Sequence, residues 1–434
     1  MSIDISMNSE SSDNTVSLKQ AWLVTLTASL FFFYDFIQLN LFNSISTDLM
    51  QVFHINAAGL GQLSSMFFYA NAVCLFPAGI LLDRFSTKKI LLMAITLAIV
   101  GTILFASATS YTVAAFARFI DGISASFCFL SCIRIASRWF PAKKMALVTG
   151  VIVTMAMLGG LVAQTPMALL ANWVGWRNAV FMDAGLGVVI FLIMLAILQD
   201  RPANSQVKAH TEHAQLKNLG LLCSLKLVLS NRYNWFGGLY TALLNLPVFL
   251  LGALWGIDYL VKVHHITIVQ ASYATTFFFL GVIFGCPAFG WFSDRIGRRI
   301  LPMIIGALLS IAVLFILIIT PILSLNEIII LFFLIGFVTS SQVLSYPVIA
   351  ELNPLYLTGT ATSIASTTIM TSGAIVQPLF GWLMNLHWNH VMANGAAIYA
   401  ASDFFRAMLI MPIACLIGLV IALFIKETYC QSQV

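Results

Sequence analysis

Apolar runs long enough to cross a bilayer recur along this chain from residue 20 to residue 426. About 20 residues of α-helix cover the roughly 30 Å of hydrocarbon in a membrane. Within that hydrocarbon a backbone N–H or C=O cannot turn to water, so an apolar run of this length closes its hydrogen bonds internally as a helix. The runs lie at 20–45, 57–82, 88–109, 111–137, 144–171, 177–198, 234–260, 267–292, 300–320, 326–349, 356–386 and 404–426. The expected architecture is an all-α integral membrane protein with twelve transmembrane helices. Only 9% of the 434 residues are charged, against roughly 25% in a soluble domain. Most of the chain is therefore expected to meet lipid or protein rather than water.

The net charge of +5 is explained by where the basic residues fall, and it does not point to nucleic acid. With both ends on one side, as an even number of spans requires, that side collects 16 of the 21 basic residues. They are Lys19, Arg84, Lys88, Lys89, Arg138, Lys143, Lys144, Arg201, Lys208, Lys217, Lys226, Arg232, Arg295, Arg298, Arg299 and Lys426. The other side holds Arg177, Lys262 and Arg406, while Arg118 and Arg134 lie within the fourth run. Basic residues are enriched in cytoplasmic loops, so both termini are expected in the cytoplasm. Residues 1–18 lack the basic start of a cleavable signal, so the first run is expected to stay as a helix. Short loops without an N-x-[ST] sequon point to a bacterial inner membrane. The seven cysteines sit mostly inside runs with no CxxC pair; Cys128 and Cys132, one helical turn apart, read as small apolar packing residues.

The longest connection, 199–233, divides the runs six and six. Its stretch 215–230 reads either as an interfacial amphipathic helix or as a plain linker. The expected divisions are a tail at 1–19, bundles at 20–198 and 234–426 on either side of the linker, and a tail at 427–434. The two halves repeat. Gly79-Ile-Leu-Leu-Asp83-Arg84-Phe-Ser-Thr-Lys88-Lys89 follows the second run, and Gly290-Trp-Phe-Ser-Asp294-Arg295-Ile-Gly-Arg298-Arg299 follows the eighth, at an offset of 211 residues. Pro141 and Pro354 echo each other at an offset of 213, as do Gln164 and Gln377. Internal repeats around a midplane site mark secondary transporters, so the bundles are expected to be pseudo-symmetric.

The loop pattern G-x-x-x-D-R-x-[GS]-x-[KR]-[KR], repeated in the second half with Ile300 at its last position, resembles the signature of the major facilitator superfamily, and the resemblance spans essentially the whole chain. Arg118-Phe-Ile-Asp-Gly122 resembles the R-x-x-x-G element of its fourth span. Gly150, Gly159, Gly160 and Pro166 resemble its Gly/Pro-rich fifth span. Tyr34-Asp-Phe36, Leu60-Gly-Gln-Leu-Ser64 and Phe119-Ile-Asp-Gly122 look like either of two branches, the phagosomal amino-acid and nucleoside transporters or the lysosomal dipeptide-transporter-like group. Two departures matter. Ser86 replaces the usual second glycine of the loop, implying a less sharp turn. Thr358 stands where relatives often carry Arg after Glu351, which puts a second-half ion pair in question. The resemblance implies that Gly79, Asp83, Arg84, Gly290, Asp294 and Arg295 form a gate on the basic side, open in one state and closed in the other; a bare anchoring role for the charges is the competing reading.

Charges inside a span are costly and point to function. Asp35 sits about 22 Å up the first span and Arg118 about 10 Å down the fourth, by the helical rise, so both are expected at one level. The resemblance places these two helices across a cavity from each other, so the side chains are expected to meet. Arg118 is then a clamp for a carboxylate or phosphate, and Asp35 a partner for an ammonium group or a proton; a permanent structural ion pair is the alternative. Asp121, on nearly the same face as Arg118, suits a proton carrier, or is simply neutralised by it. Asp183 is expected to pair with Arg177, and Asp258 to reach water. Tyr34, Gln38, Gln164, Tyr240, Asn245, Gln342, Tyr346 and Gln377 complete the candidate solute contacts. No histidine lies deep in a span, so carboxylates must carry any proton coupling, and His387 and His390 read as solvated loop residues rather than metal ligands.

The expected function is import of a small charged or zwitterionic nutrient, such as an amino acid or dipeptide, by rocking of the halves. The proton motive force is the expected energy source, with no cofactor or metal and a monomer in lipid as the working unit. A drug or metabolite exporter of the same fold is the nearest rival. Without HExxH, GxSxG or a P-loop, an enzyme is not expected.

Overall fold

The computed structural model describes residues 18–140, 144–201, 221–320, 323–354, 357–386, 388–389, 391–393 and 396–431. The expected tail at 1–17, Lys143, Lys208, Lys217, the start of the 215–230 stretch, His387 and His390 lie outside them, as does the side chain of Asp83.

Twelve membrane spans are present. Ten are long and apolar enough to cross on those grounds alone. The other two, Ala57–Arg84 and Thr358–Asn385, are spans two and eleven. These two pack against each other along the junction between the halves, so part of each surface meets protein rather than lipid. Spans five and eight form the second junction. Within the first half, spans one and five, two and four, and three and six pair; within the second, eight and ten, seven and eleven, and nine and twelve. A helix at Leu221–Ser230 precedes span seven.

Several spans are not single helices. Span one ends at Asn40, and a separate helix, Phe42–Phe53, follows. Span four is divided at Ser126–Phe127 and span five at Ala163–Gln164, just ahead of Pro166. Span seven runs as Arg232–Leu244, a π-helical turn at Val248–Gly252, and Gly256–His264. Span ten carries a 3₁₀ turn at Ser340–Leu344. One small correction applies to an all-helical reading: Met392–Ala393 and Ala396–Ala397 form a two-residue antiparallel ladder between spans eleven and twelve.

The molecule has two unlike ends, here called the basic side, where the sixteen loop and tail cations were expected, and the far side. The hydrogen bonds that join the halves among the described residues lie on the far side. Thr47 Oγ1 donates to Asp258 at 2.9 Å, the Ala57 amide donates to Tyr399 Oη at 2.8 Å, and the hydroxyls of Thr165 and Thr276 are 2.8 Å apart. Spans two and eleven also touch backbone to backbone there: a Cβ at Gly61 would strike the Gln377 carbonyl, and one at Gly381 would strike Ala57. On the basic side, a Cβ at Gly79 or Gly290 would meet nothing within 4 Å. The far side is shut and the basic side is parted.

Candidate functional site

Arg118, on the helix Tyr111–Ala125, is 1% exposed. Phe42 and Phe67 hold its guanidinium carbon 4.6 Å and 5.0 Å from their ring centroids, an arrangement that attracts a cation to the ring quadrupole. Nη1 donates to the Gln38 carbonyl at 3.0 Å and lies 3.5 Å from Asp121 Oδ2. Nε and Nη2 have no partner, and neither does Asp121 Oδ1. A buried guanidinium carries five N–H donors in a fixed fork, and donors left unmet cost free energy. This fork is complete only when a further acceptor arrives.

Asp35 does not form an ion pair with Arg118. It is 7% exposed and lies near the Cys128 thiol on the second helix of span four. The helical rise gave the right depth but says nothing about rotation around the axis. Gln38, three residues further along, is the residue of span one that meets Arg118 through its carbonyl, and Asp121 takes the place expected of Asp35. Asp183 also departs from expectation. It accepts from the Gln38 side chain, whereas Arg177 donates to the Ala106 carbonyl at 2.7 Å and lies over the Trp176 ring. Tyr34 hydrogen-bonds Thr102 at 3.2 Å and packs on Gly187. A polar chain thus runs Asp121, Arg118, Gln38, Asp183 through the interior of the first half.

Among the described residues the second half has no counterpart to this polar chain. Tyr240 donates to the Met303 carbonyl at 2.8 Å, inside its own bundle. Tyr346 lies near Ser366, and Asn245 is half-buried at the end of the first segment of span seven. Gln342 and Gln377 are buried with Oε1 unpartnered, and Gln377 Nε2 donates to the Phe249 carbonyl at 3.0 Å. Gln164 sits in the far-side closure, bonded to Asn43 and to the Gly252 carbonyl. Asp258 does not reach water; it is 6% exposed beneath Thr47. Residues the sequence reading passed over include Asn43, Ser64, Ser65 and Asn71, the last three buried on span two with an unpartnered oxygen each. A polar residue within a span is the signal that would have found them.

On the basic side, the ion pairs seen among the described residues lie within one half or the other. Arg299 forms ion pairs with Asp294 at 2.6 Å and Glu351 at 2.7 Å, so the second half has its ion pair without a base at Thr358. Glu427 accepts from the Arg299 and Ile300 amides, capping span nine. In the first half Asp200 accepts from the Lys88 amide at 2.8 Å and from the Ser86 hydroxyl, capping span three, with Arg138 3.7 Å away. The turns differ as the Ser86 substitution implied: Ser86 is extended at φ −62° and caps Lys89, whereas Gly297, its repeat partner, is left-handed at φ 65°. Arg84 is exposed, and Arg295 lies 5.1 Å from the Trp291 ring centroid.

Comparison with known proteins fits this architecture. The chain resembles the "Drug efflux pump JefA" of Mycobacterium tuberculosis, at 26% identity over 40% of this chain and 34% of that protein, so it spans about a third of that relative's length. It resembles the "Probable galactarate/D-glucarate transporter GudP" of Escherichia coli at 23% identity, over 80% of this chain and 82% of that one. Among solved structures, a bacterial homologue of the human lysosomal transporter Spinster, in an inward-facing and unoccupied conformation, superposes with a TM-score of 0.80 at 17% identity, over 94% of this chain and 97% of that one. The model of the Major Facilitator Superfamily matches residues 26–258 and 239–429, covering both bundles and the junction between them. This multi-pass membrane protein belongs to the Major Facilitator Superfamily, and it is a transporter rather than an enzyme.

Proposed function

We propose that the chain imports a small organic anion or zwitterion, such as an amino acid, dipeptide or sugar acid, by proton-coupled alternating access. The observation that carries the reading is Arg118: a fully buried guanidinium between two aromatic rings, with Nε and Nη2 unmet. A carboxylate is the acceptor that suits a planar fork of this kind. Asp121 is the proton carrier in this reading, because it already shares Arg118 and a solute carboxylate competes with it for that guanidinium. Protonating Asp121 frees the fork, which links proton and solute. Asp35 and Asp183 lend further acidic character to the same interior. The unpartnered oxygens of Gln342 and Gln377 supply acceptors for the solute's neutral or ammonium groups.

With the basic side read as cytoplasmic, both termini lie on the cytoplasmic side of a bacterial inner membrane and the described conformation is open inward. Neighbouring evidence is compatible: the named relative of nearly equal span is described as a probable transporter of galactarate and D-glucarate, both carboxylates. Export of drugs or metabolites is the second reading, favoured by the shorter match to a drug efflux pump.

The test begins with thermal-shift screening of the purified protein against amino acids, dipeptides, nucleosides and organic acids. Counterflow of any stabilising solute is then measured in liposomes. Arg118→Ala is expected to abolish counterflow, with Arg118→Lys retaining a small fraction, and Asp121→Asn is expected to keep counterflow while losing proton-driven accumulation. Counterflow by Arg118→Ala at the wild-type rate overturns the clamp. Transport of lipophilic cations with indifference to carboxylates favours export.

A further inference from the structure

Span seven is broken where it faces the other half, and its loose backbone groups are satisfied by that half's side chains. Between the π-helical turn Val248–Gly252 and the helix Gly256–His264, the Trp255 amide reaches back five residues to the Leu250 carbonyl at 2.7 Å. This leaves the Leu251 carbonyl and the Ile257 amide to seek partners elsewhere. Asn43, fully buried at the start of the helix after span one, takes both. Its Nδ2 donates to the Leu251 carbonyl at 3.1 Å and its Oδ1 accepts from the Ile257 amide at 3.0 Å. The same Nδ2 donates to Gln164 Oε1 at 2.7 Å, and Gln164 Nε2 donates to the Gly252 carbonyl at 3.0 Å. Gly256 fits the bend because a Cβ there would strike the Leu251 carbonyl.

Two amides from the first half thus fill the gap of a missing helical turn in the second. In an apolar setting an unmet backbone group is expensive, so these contacts hold the halves together as well as mending the break. Thr47 and Asp258 continue the contact one turn along.

We infer that Asn43 is the positioning residue that latches the far side shut, and that it sets the balance between the far-closed and far-open states. The inference builds on the alternating-access reading, but its main test needs no solute. Leu254, fully buried beside the latch, is replaced by cysteine in a background with Cys74, Cys223, Cys286 and Cys430 changed to serine. Reconstituted protein is treated with a membrane-impermeant maleimide from the far side. Losing three hydrogen bonds, Asn43→Ala is expected to label at least about ten-fold faster than the parent. Gln164→Ala is expected to label faster too, and the double variant no faster than Asn43→Ala, because both amides serve one latch. Asn43→Ser, smaller but still a donor, is expected between parent and alanine, and it carries the test if the alanine variant does not elute as a single species.

Once a solute is known, Asn43→Ala is expected to lower KM for solute offered from the far side while also lowering kcat, because a larger fraction of molecules already stands open there. Loss of folded protein alone lowers the maximal rate without moving KM. Unchanged labelling in Asn43→Ala and Asn43→Ser overturns the latch and leaves the proposed solute untouched. Faster labelling with no carboxylate transport upholds the latch and overturns the solute reading.

Discussion

The two ends of this molecule solve the same problem in opposite ways. On the far side, polar groups of one half are satisfied by the other: Asn43 and Gln164 by span seven, Thr47 by Asp258, the Ala57 amide by Tyr399. On the basic side, the caps and ion pairs seen among the described residues stay within one half. Asp200 caps span three and Glu427 caps span nine, and Arg138 and Arg299 find acids within their own bundles. The contrast teaches which bonds belong to the fold and which to the state. Bonds inside a half survive any rocking motion, whereas bonds across the junction exist only while that end is closed. The glycines agree. Gly61 and Gly381 lie against the opposing backbone, while Gly79 and Gly290, at the basic ends of spans two and eight, have room for a side chain.

The most drastic way to probe this contrast is to make a far-side contact permanent. Thr165→Cys with Thr276→Cys places two thiols where hydroxyls now lie 2.8 Å apart. Oxidation is expected to abolish counterflow and reduction to restore it; undiminished flux in the oxidised protein breaks the claim that this end must open. Next in size is a pair of mirror-image substitutions. Gly79→Val adds bulk where there is space, so the unfolding temperature should hold. Overpacking of about 1–3 kcal/mol then falls only on the state closed on the basic side, lowering turnover roughly ten-fold or more. Gly381→Val brings the same cost to the state described here, and is expected to lower the unfolding temperature and speed far-side labelling. Equal behaviour of the two valines erases the contrast. The smallest effects are expected from the self-contained caps: Asp200→Ala and Glu427→Ala should each cost about 1 kcal/mol in unfolding measurements, with no change in solute KM.

Much of the fold was legible because hydrocarbon thickness sets a length that apolar runs either meet or miss. The repeat was equally plain, since Asp83-Arg84 and Asp294-Arg295 stand at a fixed offset. What escaped was rotation and continuity. Asp121 stands on Arg118's own helix and its place on that face was legible, whereas the rotation of span one, which turns Asp35 away from Arg118, was not. The break in span seven leaves no mark on an apolar count, because a π-turn redirects backbone hydrogen bonds without changing composition. Gln164 and Gln377 were read as solute contacts by their polarity. One of them mends that break from across the junction, and the other donates to it from the same half.

Spans two and eleven, the pair that meets at the junction, carry a further consequence for how the protein is made. Ala57–Arg84 enters the membrane during synthesis well before Thr358–Asn385 has been translated. Through that interval span two, with its buried serines and Asn71, lacks the helix it finally packs against. Polar groups left uncovered in hydrocarbon cost free energy, so the partly built first half must shelter them. Variants that make span two more apolar are therefore expected to raise the yield of inserted protein, and to do so at the expense of the junction that the finished transporter needs.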